Sequence, residues 1–455
     1  MDGAGIIRHL TDLLGEGAVR HGEAVSVLDP GLDPRNLDAG IVVLPGSTTD
    51  VQKVLSFCQA NRIAVVPQGG RTGLAGGAVS APGQVVLSLQ RLSRITGIDP
   101  VSALAEVEAG VTLAALDRAL EPHGLCAGID LGARDSATIG GMISTNAGGI
   151  EAFRHGVMRQ RVSGLEAVLA DGTVVSDLSR VGKCNEGYDI KQLFIGAEGT
   201  LGVVTRAVLR LVSRPRARAT ALVAAPTMAG ALQAFRAAAP SLLAFELMNG
   251  PYFAIAAADQ GTQPFTDCST GYFFVVEMEG GSDDAAHQAV ETFLAMALEQ
   301  DWISDAVICK SGEEQRKTWI LREDSWVVDR HFPGGLWFDV TVPLAALDDY
   351  VMGLEEKLTA AAPELRLFVI GHLGDGNLHL TIAGPEPADN HRPVVSGIVH
   401  EGLKAMGGSF SAEHGIGLEK RPALVRYGDP GKRRAMLAVK AALDPVGIMN
   451  PGKVL

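Results

Sequence analysis

His372 and His379 stand seven residues apart in GHLGDGNLH, on either side of an Asp-Gly dipeptide. If Asp375-Gly376 forms a two-residue hairpin turn, Gly374 pairs with Asn377 and Leu373 with Leu378, and His372 then faces His379 across the ribbon. Directly opposed residues have Cβ atoms about 4.5–5.5 Å apart, a separation that suits two imidazoles on one divalent ion. The same pattern also fits two histidines that only hydrogen-bond on a polar hairpin. Glu413-His414, in SAEHGIG, would add a carboxylate and a further histidine. Two histidines and a carboxylate leave an open position for a substrate oxygen, and a neighbouring histidine can serve as a base near neutral pH. By itself this dipeptide is an ordinary pair in a turn.

A second kind of chemistry is written in glycine. PQGGRTGLAGGAVSAPG carries its glycines between two apolar runs, and IGGMISTNAGG follows about seventy residues later. A third cluster, FIGAEGTLG, runs into the apolar segment VVTRAVLRL. Consecutive backbone N–H groups in such loops form concave anion sites, and only glycine lets a pyrophosphate approach so closely. Two loops together could grip one long cofactor at two points.

These residues need elements to position them. Ile41 to Leu44 reads as a strand, Val51, Val54, Leu55 and Cys58 fall at helical spacing behind Ser47, and Ile63 to Val66 reads as a second strand. The glycine loop then leads into another strand, Val85 to Leu89, and not into a helix, so a Rossmann unit is excluded on context. Leu165 to Leu169, Asp171-Gly172 and Val174-Val175 read as a hairpin. The run RLVSRPRARAT reads as a solvated domain boundary. Beyond it helices such as Met228 to Ala238 alternate with strands such as Tyr272 to Met278, an α+β pattern. Leu367 to Ile370 and Leu378 to Ile382 flank the histidine turn, and the remainder reads as helical up to the tail LDPVGIMNPGKVL.

The chain has 455 residues, 47% hydrophobic and 20% charged, which suits a folded enzyme of two or three domains. A net charge of -13 argues against nucleic acid and anionic membranes as partners. Five scattered cysteines without metal spacing point to a reducing, cytoplasmic setting. MDGAGIIRHLTDLL reads as a short amphipathic helix and not as a targeting segment, and no apolar run reaches membrane-spanning length.

The ordered motifs PQGGRTGLAGGAV, DLGARDSATIGGMISTNAGG, GLEAVLADGTVV, GYDIKQLFIGAEGTLGVVT, GHLGDGNLH and SAEHGIG resemble those of the FAD-linked D-2-hydroxy acid dehydrogenases. These belong to the vanillyl-alcohol oxidase and p-cresol methylhydroxylase flavoproteins. Among them the D-2-hydroxyglutarate dehydrogenases are most similar, with D-lactate dehydrogenases and glycolate oxidase flavin subunits further off. The resemblance implies an α+β architecture: a helical lead-in over 1–36, an FAD-binding domain over 37–215, and a substrate or cap domain with an antiparallel sheet over 216–410. Residues 411–455 would return to the flavin. It implies that Pro67, Gly69, Gly70, Arg71, Thr72, Gly73, Leu74 and Gly77 hold the FAD pyrophosphate. Ser136, Gly140, Gly141, Thr145, Asn146 and Gly149 would line the flavin, Glu198, Gly199 and Val204 would touch the adenosine half or the ring edge, and Asn450 the ring. No histidine lies between Ile63 and Gly110, so the FAD is expected to be noncovalent at that loop.

The resemblance further implies His372, His379 and Glu413 as ligands of a divalent metal, zinc by default and manganese as the alternative, with His414 as the base. Arg322 would clasp a substrate carboxylate through its planar fork; the bland alternative is a surface arginine paired to a nearby acid. Three positions depart from the hydroxyglutarate enzymes: Trp326 replaces a threonine, Trp337 a lysine and Thr381 an asparagine. All three are expected around the substrate, although either tryptophan could equally be core, and Arg330 or His331 could carry a displaced positive charge. The expected substrate is a D-2-hydroxy acid whose tail is shorter, less charged or more apolar than that of D-2-hydroxyglutarate. The expected electron acceptor is an electron-transfer flavoprotein or a quinone, and a homodimer is compatible with the chain. A metal-dependent hydrolase would leave the glycine loops unexplained and the protein colourless, and a flavin subunit without catalysis would have no use for Glu413-His414.

Overall fold

A computed structural model describes residues 2–455, which leaves Met1 of the expected lead-in outside. The chain divides into two units: one runs up to Arg214 and resumes at Glu413–Leu455, and the other is Pro215–Ala412.

In the first unit, strands β1 (Val19–His21), β2 (Ile41–Val43), β3 (Val65–Gln68) and β4 (Val85–Ser88) form a sheet in the order β1-β2-β4-β3. Between β2 and β3 the helix Thr48–Ala60 starts where Ser47 accepts the Asp50 N–H, and buries Val51, Val54, Leu55 and Cys58. The glycine loop joins β3 to its parallel neighbour β4, with no helix between them. The first 36 residues are no separate lead-in. The helix Gly3–Leu14 buries Ile6 and Leu10 in this core, and β1 pairs with β2. The C-terminal tail comes back to the same sheet, where Asn450 donates its N–H to the Val65 carbonyl at 2.8 Å.

A second, antiparallel sheet uses β5 (Ile95–Asp99) and β6 (Leu104–Glu108). After the short strand β7 (Leu125–Cys126) it adds β8 (Val162–Val168), β9 (Val174–Asp177) and β10 (Val203–Arg210), in the order β5-β6-β10-β8-β9. The expected β8–β9 hairpin forms, with Gly172 in the left-handed region that its turn requires. The second glycine segment is not a loop. Ile139–Thr145 is helical, begun by the Thr138 hydroxyl on the Gly141 N–H and ended by left-handed Asn146. Glycine is needed there for close packing, since a Cβ on Gly140 would meet the Ala109 Cβ at 2.6 Å.

The arginine run at the boundary is mostly strand. β11 (Val212–Ser213) pairs with β7, and β12 (Ala217–Ala225) begins four residues later. Strand alternation buries Ala217 and Ala219 and turns Arg218 outward onto Glu277, while Arg214 donates to the Asp117 carbonyl. Polar side chains on a pleated edge look like linker when read in one dimension.

The second unit is built on one antiparallel sheet. Its strands are β12, β13 (Leu242–Asn249), β14 (Tyr272–Gly280), β15 (Asp305–Ile308), β16 (Leu336–Thr341), β17 (Arg366–His372) and β18 (Asn377–Ala383), in the order β15-β12-β14-β13-β17-β18-β16. On one face Met248, Phe273, Val275, Phe368 and Ile370 pack with Tyr252 and Phe253 of the helix Gly250–Asp259, Leu321 of Gly312–Glu323, and Val327 and Val328 of Val327–His331. On the other face Phe235 of the helix Met228–Ala238 meets Phe245 edge-on. After the helix Arg392–His400 the chain makes turns, and regular helix resumes only at Arg421–Tyr427 and Pro430–Leu443. The SAEHGIG segment is therefore loop, not helix. Among the described residues no helix is long and apolar enough to cross a membrane.

Candidate active site

The histidine hairpin differs from the expected register. His372 pairs with Asn377, and His379 sits opposite Ile370. The turn holds four residues, because Leu373–Asp375 winds a single tight turn, Asp375 accepts the Asn377 N–H at 3.1 Å and Gly376 takes φ 74°. Only glycine fits at Gly376, where a Cβ would lie 2.0 Å from the Val342 carbonyl. The register is displaced by two residues, which leaves every side chain on its original face. His372 and His379 are thus diagonal neighbours on one face, with ring centroids 5.4 Å apart and nearly perpendicular.

Buried charge surrounds this pair. Glu246 lies opposite His372, and its Oε1 is 2.8 Å from the imidazole Nδ1. The other carboxylate oxygen is 2.8 Å from Nη2 of Arg322. Arg322 is 6% exposed and Glu246 1%, so neither charge could stand alone here. Arg322 is paired with an acid, but inside the unit and not on a surface helix. Its Nε has no protein partner, nor has either amide atom of the buried Asn377. Opposite His379 is Asp339, 1% exposed, with Oδ1 3.7 Å from the imidazole Nδ1. Its Oδ2 accepts the Ala412 N–H at 3.1 Å, which holds the chain one residue before Glu413.

The donor chemistry fits a metal. Nδ1 of His372 rests on Glu246, as ligating histidines ordinarily rest one ring nitrogen on a carboxylate, and His372 and His379 belong to a group of side chains able to hold an ion. The unpartnered polar atoms of Asn377 and Arg322 have capacity for a ligand. Glu246 was not singled out from the sequence, yet it is the one carboxylate in the apolar strand LLAFELMN. That exception was the available signal.

The tryptophans are not core. Trp326 is 55% and Trp337 38% exposed, and their rings pack on each other with centroids 5.3 Å apart. Thr381 is buried and lies directly across from Trp337. Arg330 is no spare charge: its Nη2 is 2.9 Å from Asp259 and 2.6 Å from Asp324. His331 Nδ1 rests on the Val327 carbonyl.

In the first unit the two glycine segments come together. A Cβ on Gly69 would meet the Thr138 hydroxyl at 2.2 Å, and one on Gly70 would meet the Ser136 carbonyl at 1.8 Å. Arg71 follows in the left-handed region, Thr72 and Gly73 continue the loop, and Leu74 is exposed. Gly199 faces Pro67, and Gly77 faces the Glu198 carboxylate. Asn450 ties these turns together, since its Nδ2 donates to the carbonyls of Gly77 and Glu198 at 2.9 and 2.7 Å. Thr145 caps back onto Gly141, and Asn146 accepts the Arg159 N–H. Val204 packs in the core between the antiparallel sheet and the helix Ile139–Thr145. Gly69 and Gly70 let two segments pack backbone against backbone, and Asn450 Oδ1 is buried with no partner. These are features of a cradle for a bound cofactor.

Glu413 and His414 belong to a clamped loop in the same unit. Glu413 Oε1 accepts the Gly149 N–H at 2.6 Å. The Glu198 carboxylate accepts the N–H groups of Ile416 and Gly417 at 2.7 and 2.8 Å, and Leu418 donates to the Ala75 carbonyl. Burial pushes the Glu198 carboxyl up, and the two backbone N–H bonds pull against that shift.

Comparison with known proteins agrees with this division of labour. The sequence profile "FAD binding domain" matches residues 39–177, and "FAD linked oxidases, C-terminal domain" matches residues 214–454. The D-2-hydroxyglutarate dehydrogenase of Xanthomonas citri pv. viticola is 37% identical over 91% of this chain and 88% of its own. The mitochondrial D-2-hydroxyglutarate dehydrogenase of Danio rerio is 34% identical over 91% and 78%. Among solved structures, p-cresol methylhydroxylase with bound substrate superposes with a TM-score of 0.75 over 99% of this chain and 96% of its own, at 16% identity, which shows a shared fold. The chain is a member of the FAD-linked oxidase family that includes the D-2-hydroxyglutarate dehydrogenases, and it shares its fold with p-cresol methylhydroxylase.

Proposed function

We propose that this enzyme oxidises a D-2-hydroxy acid to the 2-oxo acid with the help of a divalent metal. The observation that carries the reading is the buried chain Arg322–Glu246–His372 beside His379 on one sheet face. When bound, FAD accepts the substrate hydride at N5. His372, His379 and Glu413 would hold the ion, zinc or manganese, which lowers the pKa of a coordinated hydroxyl. Glu246 fixes His372 in the tautomer that offers Nε2. Arg322 spends part of its fork on Glu246 and has further donors for the substrate carboxylate. His414 takes the hydroxyl proton, and its clamped loop keeps the imidazole from wandering. The Gly69–Gly77 loop and the Ser136–Gly149 segment hold the cofactor without a covalent tether. The electron acceptor would be an electron-transfer flavoprotein or a quinone.

The second reading is that the substrate is D-2-hydroxyglutarate itself, favoured by 37% identity to an enzyme of that name. Anaerobic mixing of the purified protein with D- and L-hydroxy acids tests the proposal. Bleaching of the flavin by a D-2-hydroxy acid, and its loss after chelation, is the expected result. A flavin that no D-2-hydroxy acid reduces would refute it.

A further inference from the structure

Exposed tryptophan pairs are uncommon, because a large apolar ring gains by burial. Trp326 and Trp337 nevertheless stand 55% and 38% exposed while packed on each other. Trp337 lies two residues before Asp339 on β16, and Thr381 two after His379 on β18. The register sets Trp337 against Thr381 and Asp339 against His379. All four side chains share one sheet face, and the tryptophan is roughly 7 Å along the strand from the histidine level. Trp326 follows the helix that carries Arg322, so the pair closes one end of the same sheet face.

The charges nearby restrict what this platform can receive. Asp329 stands three residues after Trp326 and close to the Trp337 side chain and Gly335, so an acid and not a cation borders the indoles. Arg330 is taken up by Asp259 and Asp324. The cation that a distal carboxylate would need is therefore not supplied by this pair's neighbours on the same helix.

We propose that Trp326 and Trp337 form a specificity platform for a neutral aromatic tail, which makes the substrate class an aryl-bearing D-2-hydroxy acid. The inference rests on the oxidation proposed above and adds the identity of the tail. One or two methylenes beyond C2 would bring an aryl ring from the histidine level to the exposed indole faces, where offset stacking is favourable.

The test compares flavin reduction by D-3-phenyllactate, D-lactate and D-2-hydroxyglutarate in the holoenzyme. The phenyl compound should have the highest kcat/KM, by roughly 10- to 100-fold, the worth of burying one aromatic ring. In Trp326→Ala and Trp337→Ala the ratio of kcat/KM for D-3-phenyllactate over D-lactate should fall about tenfold or more, mainly through KM, and Trp337→Phe should recover most of that ratio. A wild-type preference for D-2-hydroxyglutarate, or variants that leave the ratio unmoved, would overturn the platform while the oxidation stands. Failure of all three acids to reduce the flavin would instead bring down the oxidation reading, and the platform with it.

Discussion

The glycine cradle of the first unit and the charged sheet face of the second are built by opposite means. In the cradle the decisive feature is what is missing: a Cβ on Gly69, Gly70 or Gly149 would fall 1.8–2.2 Å from a neighbouring oxygen. Close approach of backbone shapes that region. On the sheet face the decisive feature is an excess: an arginine, a glutamate, two histidines and an aspartate gathered where water hardly reaches. Buried backbone contacts fail by steric clash, whereas buried charges fail by losing a partner. The two regions should therefore break independently and in different observables.

Chelation should give the largest effect. Turnover should fall to background in metal-stripped protein, while the visible flavin spectrum persists, and His372→Ala should copy the chelator. Full activity without metal would erase the chemical half of the contrast. Next comes His414→Ala, which should keep FAD and metal but lose about 10²–10⁴-fold in kcat, the usual share of a general base. A rate within a few-fold of wild type would mean that the proton leaves by another route.

Glu246→Gln sharpens the comparison further. It leaves Arg322 without its buried counter-charge and His372 without its carboxylate. Metal affinity should weaken by about 10- to 100-fold, measured by zinc titration, at unchanged FAD content. Unchanged zinc affinity would show that Glu246 serves only the arginine. The smallest effect is expected from Gly70→Ala. Its Cβ must push aside the Ser136 carbonyl, at a cost of about 1–3 kcal/mol. FAD occupancy should drop while zinc binding is retained. A fully yellow variant would show that the two segments can separate without harm to the cradle.

Much of this molecule was readable from its residues. Ser47 before Thr48–Ala60 and the Asp171-Gly172 hairpin are local rules, satisfied by neighbours a few residues apart. The histidine pair was legible for a subtler reason. Its register was misplaced by two residues, and an even displacement preserves the face. The helix Ile139–Thr145 was hidden, since glycine is a poor helix former and its use there is to pass close to Ala109.

By itself, then, the sequence determined many of the strands and helices, where glycine must let backbone approach, and which residues could carry charge or proton. Only the tertiary structure decided the partners. Glu246 is 126 residues from the histidine it orients, and Glu198 is more than two hundred from the loop it clamps. The same holds for Trp326 and Trp337, which residue type alone would have sent to the core and the fold leaves facing solvent. Periodicity and turn chemistry act within a few residues, whereas pairing of buried charge is settled by which distant strands the folded sheet brings side by side.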